Sequence, residues 1–408
     1  MQAKPASVFS LAVFVAALGY FVDIYDLLLF SIIRVPSLKD LGLTPDQIAS
    51  DGLFIINVQM AGLLIGGILW GILGDKKGRL KVLFASIILY SLGNIANGFV
   101  QTVNQYAAVR FLTGVGLAGE LGAGITLVSE LLPKEKRGIG TSLVAGIGLT
   151  GAVVAFFFKQ TFTSWRTCYF VGGGLGFLLL MLRIGVLESG MFKDIQHSSK
   201  VKKGNFFMLF NNGNRLKKYL CSILIGLPTW YVIGILVSFS KEFGEKMGVV
   251  GTVDPGKAVM FAYAAISIGD IAVGFVSQAL RSRKKALYIF YGITAIGIVW
   301  FFNLRGQSVN SLYAASALLG FGTGFWAIFV TMAAEQFGTN IRATAATTVP
   351  NMVRGALILI SILFTSLQPS AGYVNAGLIT GIVAMVIGLG ASILTEETFH
   401  KDLNYVEE

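Results

Sequence analysis

Apolar stretches of about twenty residues recur along the chain between short polar gaps, the length an α-helix needs to cross a bilayer core. Twelve spans are expected, at 7–34, 52–74, 80–101, 105–130, 139–159, 166–187, 219–240, 257–280, 285–304, 308–334, 343–367 and 372–395. The polar segment 188–218 falls near the middle, so the pattern predicts an all-α membrane protein of two six-helix halves, 1–187 and 219–408, joined by a linker. A short surface helix is expected within that linker, around Phe206–Phe210. The first residues lack a cleavable signal pattern, so the first apolar stretch is expected to stay as a spanning helix.

Composition agrees with a bilayer environment. Charged residues are 13% of the chain and hydrophobic residues 54%, against about a quarter and under half in soluble domains. Fifty glycines beside eight prolines suit helices that approach closely where no water drives their association. The net charge of +11 raises the question of a nucleic-acid partner, and its distribution answers it. With the N-terminus placed in the cytoplasm, 21 of the 32 Lys and Arg fall on the cytoplasmic side, including Lys76, Lys77, Arg79, Lys81 and the linker cations. Eight fall opposite, and Arg110, Arg183 and Arg354 lie inside spans. This bias places both termini in the cytoplasm, so the basic character is a topology signal. Cys168 and Cys221 are far apart and form no metal or disulfide pattern.

Two loops repeat between the halves. Glu130 precedes Arg137 by seven residues after span four, and Glu335 precedes Arg342 by seven after span ten, an offset of 205. Gly71-x-x-Gly-Asp75 through Arg79 has a weaker echo in Gly274-x-x-Ser-Gln278-x-x-Arg281, offset by 203. Repeated halves with a site at their interface are a common build of secondary transporters.

The run Gly71-Ile-Leu-Gly-Asp75-Lys-Lys-Gly78-Arg79-Leu-Lys81 resembles the cytoplasmic loop signature of the major facilitator superfamily. Asp23-Ile-Tyr25-Asp26, Arg110-Phe-Leu-Thr-Gly114 with Gly119-Glu120, and Glu396-Glu-Thr398 resemble features of its metabolite:proton-symporter and sugar-porter branches. The chain departs from the sugar porters in span seven, where Pro228-Thr-Trp230-Tyr231 replaces their glutamine pair, and at the end of span six, where only Glu188-Ser189 survives of a longer motif. The resemblance implies transport by alternating access and a monomer. It also implies a conformational latch built on Gly71, Asp75, Gly78, Arg79, Glu130, Arg137, Glu335 and Arg342, and a proton-linked pair of Asp26 with Arg110.

An ionisable side chain at bilayer depth costs about 2.5–3.5 kcal/mol on insertion scales, so it needs a partner, a cavity or a task. Asp23 and Asp26 are three apart and share a helix face, at a depth comparable to Arg110. Two acids beside one cation make a plausible proton-carrying device; a permanent ion pair joining spans one and four is the plainer alternative. Glu120 is a candidate for proton or substrate contact, or for a bond to a neighbouring helix. In the second half, Arg354 is the candidate for a substrate anion, unless Asp270 pairs with it. Asn57, Gln59, Tyr231, Trp326 and Asn351 are further candidates for the same cavity, with Trp230 and Phe325 beside them; aromatics in spans also commonly pack or face lipid. The repeat puts Trp230 opposite Asp26, so coupling is expected in the first half and substrate contacts extending into the second.

His197 and His400 fall in polar segments, no phosphate-cradling motif is present, and no convergent catalytic set or metal site emerges. An enzyme is not expected, nor a cofactor beyond a coupling proton. The partners expected are a small-molecule substrate and the lipid bilayer of a plasma membrane, bacterial inner membrane included. The sequence favours proton-coupled symport of a small polar metabolite such as an organic carboxylate. Facilitated diffusion, efflux or antiport of a similar solute is the alternative, and a non-transporting nutrient sensor the more distant one. Antiporters of the family it resembles carry a Gly-Pro element in span five, and no proline occurs there in this chain, which leans against antiport.

Overall fold

The computed structural model describes residues 10–77, 79–120, 143–188, 206–338, 341–399 and 401. In the first half, α1 is Leu11–Asp40, α2 Pro45–Lys77, α3 Arg79–Asn97, α4 Val103–Leu117, α5 Gly151–Thr161 and α6 Trp165–Glu188. In the second, α7 is Gly213–Ile225, α8 Leu227–Tyr231, α9 Ser240–Met247, α10 Pro255–Leu280, α11 Arg283–Phe302, α12 Val309–Thr323, α13 Trp326–Glu335, α14 Arg342–Gly355, α15 Leu357–Ala371 and α16 Tyr373–Leu394. Among the described residues ten continuous helices are long and apolar enough to cross a membrane, with Val82–Asn97 as a shorter apolar one. With α4 in the place of span four, each of the twelve expected spans has its helix.

Boundaries differ from the expected ones where polar residues extend a helix beyond its apolar stretch. Helix α1 runs through Pro36 to Asp40. Helix α7 starts at Gly213, because the Asn212 side chain accepts from the backbone N–H groups of Asn214 and Arg215 and so starts the helix early. In the linker, Phe206–Leu209 forms a 3₁₀ turn with Phe206 and Leu209 buried.

Three spans in the second half are interrupted. Span seven passes through a π-helical segment, Val232–Val237, after which the Ser238 hydroxyl donates to the Ile233 carbonyl at 2.7 Å. Span ten breaks at Gly324 between α12 and α13, where Gly269 of α10 presses against Phe321 and Gly324. Span eleven breaks at Ala356 between α14 and α15. Broken helices at bilayer depth are tolerated where protein covers the freed backbone groups.

Helices α1–α6 pack chiefly on each other, and those from α7 onward likewise. The two groups meet where α2 crosses α14 and α15, and where α10 meets α1 and α5. Around Arg34 the contacts between them are ionic. Arg34 pairs with Glu242 at 2.7 Å, donates to the Ser238 carbonyl at 3.1 Å and lies 4.2 Å over the Phe239 ring. Lys159 pairs with Asp254 at 2.5 Å. Nearer the linker two contacts between described residues are neutral: the Asn351 amide donates to the Ala118 carbonyl at 3.0 Å and the Ser267 hydroxyl to the Gly146 carbonyl at 2.6 Å.

The C-terminal tail is tied to α11 and α13. Glu397 accepts from the Ser282 hydroxyl and from the backbone N–H groups of Arg283 and Lys284, capping α11. Burial works against its charge, but these bonds and one from Phe399 outweigh it and hold the carboxyl below its usual range.

Glycine sets the spacing of α2 and α4. A Cβ on Gly114 would come within 2.4 Å of the Gln59 carbonyl oxygen, whereas one on Gly390 would meet nothing within 4 Å. Gly114→Val is expected to destabilise the protein by about 1–3 kcal/mol through overpacking, read as a lower apparent Tm in detergent, with Gly390→Val close to wild type. Equal losses would contradict this packing account.

Candidate functional site

A small cavity lies where the two helix groups meet, lined from the first by Tyr20, Ile24 and Leu149 and from the second by residues including Trp230, Tyr263 and Trp326. Arg354 is the charged residue in its lining. Sequence periodicity explains the convergence: Tyr20 stands three residues before Asp23 on α1, while Thr323 and Trp326 flank the break at Gly324 that turns both toward the interior. The space is about 20 Å³ for the centre of a water-sized sphere, roughly one or two waters by the usual measure. A ring-sized solute therefore fits only if the halves separate.

Arg354 faces Asp23 across the boundary between the groups, its Nη2 3.5 Å from Asp23 Oδ2, with the two side chains 1% and 0% exposed. Arg354 Nη1 donates to the Asn351 side-chain oxygen Oδ1 at 3.5 Å. Arg354 Nε, Trp230 Nε1, Trp326 Nε1 and Thr229 Oγ1 are buried donors with no protein partner among the described residues. The site thus combines one guanidinium, four aromatic side chains from Tyr20, Trp230, Tyr263 and Trp326, and spare hydrogen-bond donors. That set suits a small anion with a planar apolar body.

The candidates named from sequence fall into three groups. Arg354, Trp326 and Trp230 line the cavity, and Asp23 joins them through its ion pair. A second group holds the first half together. Arg110 does not bind the Asp26 carboxylate as expected: its Nη2 donates to the Asp26 backbone carbonyl at 2.8 Å, and Gln59, itself donating to the Leu27 carbonyl, receives its Nε at 3.3 Å. Gln59 and the Tyr169 ring, 5.7 Å away, steer the guanidinium onto the backbone. The Asp26 carboxylate turns instead toward Gly172 of α6, and neither of its oxygens has a hydrogen-bond partner among the described residues. The two acids of α1 therefore do not share one cation. Glu120 forms a buried ion pair with Arg183 of α6, the neighbouring-helix alternative.

The third group lies elsewhere in the second half or bridges the halves. Asp270 does not pair with Arg354; its Oδ1 accepts from the Ala327 N–H at 2.7 Å, capping the start of α13 after the Gly324 break. Tyr231 points away from the cavity and donates to the Gly377 carbonyl at 2.8 Å. Phe325 packs edge-on against Tyr291, at 5.3 Å. Asn351 binds the Ala118 carbonyl, and Asn57 accepts from the Ser361 hydroxyl at 2.9 Å, both across the halves. Of the latch residues, Gly78, Glu130 and Arg137 lie outside the described residues, as do the side chains of Asp75 and Arg79. Gly71 lies against Thr348 of α14. Glu335 binds Arg283 at 3.4 Å and accepts from the Thr398 hydroxyl at 2.6 Å, while Arg342 Nε donates to the Phe337 carbonyl at 3.1 Å.

Tyr20 and Tyr263 belong to no motif, and Thr229 and Arg183, though within a quoted stretch and a span, are not named as candidates from the sequence. A helical-spacing rule applied to the acids finds Tyr20, and it finds Tyr263 seven residues before Asp270.

The family model described as Major Facilitator Superfamily matches residues 9–346. The niacin transporter of Acinetobacter baylyi is 26% identical, covering 96% of this chain and 95% of its own. The 3-(3-hydroxy-phenyl)propionate transporter of Escherichia coli is 28% identical over 72% of each chain. A solved structure of a proton:xylose symporter bound to 6-bromo-6-deoxy-D-glucose superposes with a TM-score of 0.71, at 17% identity and covering 97% of each chain, which shows a common fold.

Replacing Arg354 by Gln leaves Asp23 buried without its cation, an expected cost of about 3–5 kcal/mol. Adding Asp23→Asn is expected to restore part of that, which a thermal double-mutant cycle in detergent measures. Strictly additive losses would mean the two residues do not interact.

Proposed function

The chain belongs to the Major Facilitator Superfamily, and from that premise we propose that it is a proton-coupled symporter of a small organic carboxylate, preferentially one with a planar or aromatic body. As a member of that family it is a membrane transporter of small metabolites and not an enzyme. The observation that carries the finer reading is the Arg354 guanidinium in an aromatic cavity at the boundary of the two helix groups, paired there with Asp23. Relatives that carry niacin and a hydroxyphenylpropionate support an aromatic acid as cargo.

The geometry suggests how binding and proton movement are linked. A substrate carboxylate is a better partner for a guanidinium than Asp23 at 3.5 Å, because it can adopt the bidentate arrangement. Tyr20, Trp230 and Trp326 stack on its ring, and the free indole and hydroxyl donors hold its other polar atoms. Displaced from Arg354, Asp23 takes a proton, so the anion enters as a neutral pair with H⁺. Asp26, one turn along α1, exchanges that proton with the first half. The loaded site then changes access by rocking of the halves, breaking Arg34–Glu242 and Lys159–Asp254 at one end or the neutral contacts of Asn351 and Ser267 at the other. By the distribution of Lys and Arg, the Arg34 end faces outward and both termini are cytoplasmic; the bacterial relatives support an inner membrane.

Uptake into proteoliposomes tests this with a panel of aromatic and aliphatic acids. Asp26→Asn is expected to lose accumulation driven by a proton gradient while keeping solute counterflow. Survival of accumulation with unchanged pH dependence removes Asp26 from coupling. Neutral amide analogues of the best acid are expected to bind wild type more weakly by about 1.5–3 kcal/mol, roughly 10- to 150-fold. In Arg354→Lys that preference shrinks; an equal loss for acid and amide would point to structural damage.

A further inference from the structure

A second polar feature lies wholly within the first half, away from the cavity. Helix α3 buries Tyr90, Ser91 and Asn94, successive positions along one side, each 0% exposed. The Tyr90 hydroxyl, the Ser91 hydroxyl and both amide atoms of Asn94 have no hydrogen-bond partner among the described residues, and neither do the two carboxylate oxygens of Asp26. Asn94 sits beside the Asp26 carboxylate, and Tyr90 lies within electrostatic reach of Asp26, Asp23, Glu120 and Arg183. The four residues therefore run from Asp26 toward the Glu120–Arg183 pair.

Helix α6 is carved to admit them. A Cβ on Gly172 would come 2.6 Å from Asp26 Oδ1, and one on Gly176 would come 2.1 Å from Ser91 Oγ. On the other side, a Cβ on Gly116 of α4 would come within 2.6 Å of the Tyr90 backbone nitrogen. Asp26 Oδ1 and Ser91 Oγ thus face glycine backbone, where no side chain stands to satisfy them. Buried polar groups in native proteins are rarely left bare, and water fills such a role when it finds two to four polar partners.

We propose that α3 and α6 hold a chain of water molecules that carries the coupling proton between Asp26 and Glu120, by a route separate from the substrate cavity. This rests on the proton-symport reading and names the path for it. The proton leaves the Asp26 carboxyl for the first water, bound by Asn94. Each water passes on a proton and receives another, the Tyr90 hydroxyl doing the same, until the charge reaches the Glu120 carboxylate. Along this route the waters and Tyr90 end as they began, and the net transfer is from Asp26 to Glu120. The charged and titratable groups around the path are Asp23, Tyr25 and Asp26 of α1, Tyr90 of α3, Arg110 on α4 with Glu120 just beyond it, and Tyr169 and Arg183 of α6. Arg110 is held on the Asp26 backbone carbonyl and Arg183 on Glu120, which keeps both cations at the two ends.

Hydroxyl-radical footprinting of the wild-type protein in nanodiscs tests for the water directly. Tyr90 is expected to be modified despite full burial, whereas Tyr231, equally buried and hydrogen-bonded to the Gly377 carbonyl, is expected to be inert. Tyr90 as unreactive as Tyr231 overturns the proposal. In proteoliposomes, Asn94→Leu and Gly176→Ala are expected to slow gradient-driven accumulation by roughly tenfold or more, with counterflow retained. If Asp26→Asn leaves accumulation intact, the symport reading fails and the path with it. If Asp26→Asn abolishes accumulation but Asn94→Leu and Gly176→Ala do not slow it, the water path alone is wrong.

Discussion

Charge without water is the constraint on which this architecture turns. A guanidinium or carboxylate held between packed helices cannot be solvated, so its partner decides where its helix sits. Arg354 and Asp23 are both nearly inaccessible, and they belong to different helix groups. Each group therefore carries a charge that only the other group, or a ligand, can answer. In the proposed function this boundary is the binding site, favoured by electrostatics before any particular solute is considered. The pairing also ties the state of that boundary to whatever occupies the site.

The remaining intramembrane charges are distributed in keeping with this. In the first half Arg110 and Arg183 are fixed by contacts within their own group, to the Asp26 backbone and to Glu120. That leaves the Asp26 carboxylate beside glycine and polar α3 side chains rather than against a cation. In the second half the irregularities lie in the backbone: a π-helical segment in span seven and breaks in spans ten and eleven. Asp270 supports one of these, capping α13 next to Trp326. The first half thus fixes these cations by contacts within itself, while the second bends its helices around the cavity.

Much of this was legible in the sequence because spanning length and hydropathy are dictated by the bilayer. The twelve spans follow from the lengths of the apolar runs, and the burial of Asp23, Asp26, Arg110 and Arg354 from charges placed within those runs. Partner choice was not legible. Helical spacing puts Asp23 and Asp26 on one face, but Gln59 and Tyr169 turn Arg110 onto a backbone oxygen, and Arg354 reaches Asp23 from a helix more than 300 positions away. Asp270 looked like a partner for Arg354 because only its depth was known; the break at Gly324 that exposes the N–H of Ala327 has no signature beyond a glycine among fifty. Tyr20 and Tyr263 belong to no motif, and their part in the cavity follows from rotation about helix axes that contacts determine.

The central claim is that a substrate carboxylate takes the place of Asp23 on Arg354 and that the freed carboxyl binds a proton. Calorimetric titration of nicotinate, benzoate and 3-phenylpropionate, in buffers of differing ionisation enthalpy, counts the protons bound with whichever acid binds best. The account predicts uptake of about one proton per acid bound near neutral pH, abolished in Asp23→Asn. Binding with no proton uptake by the wild-type protein, or undiminished uptake in Asp23→Asn, would contradict it.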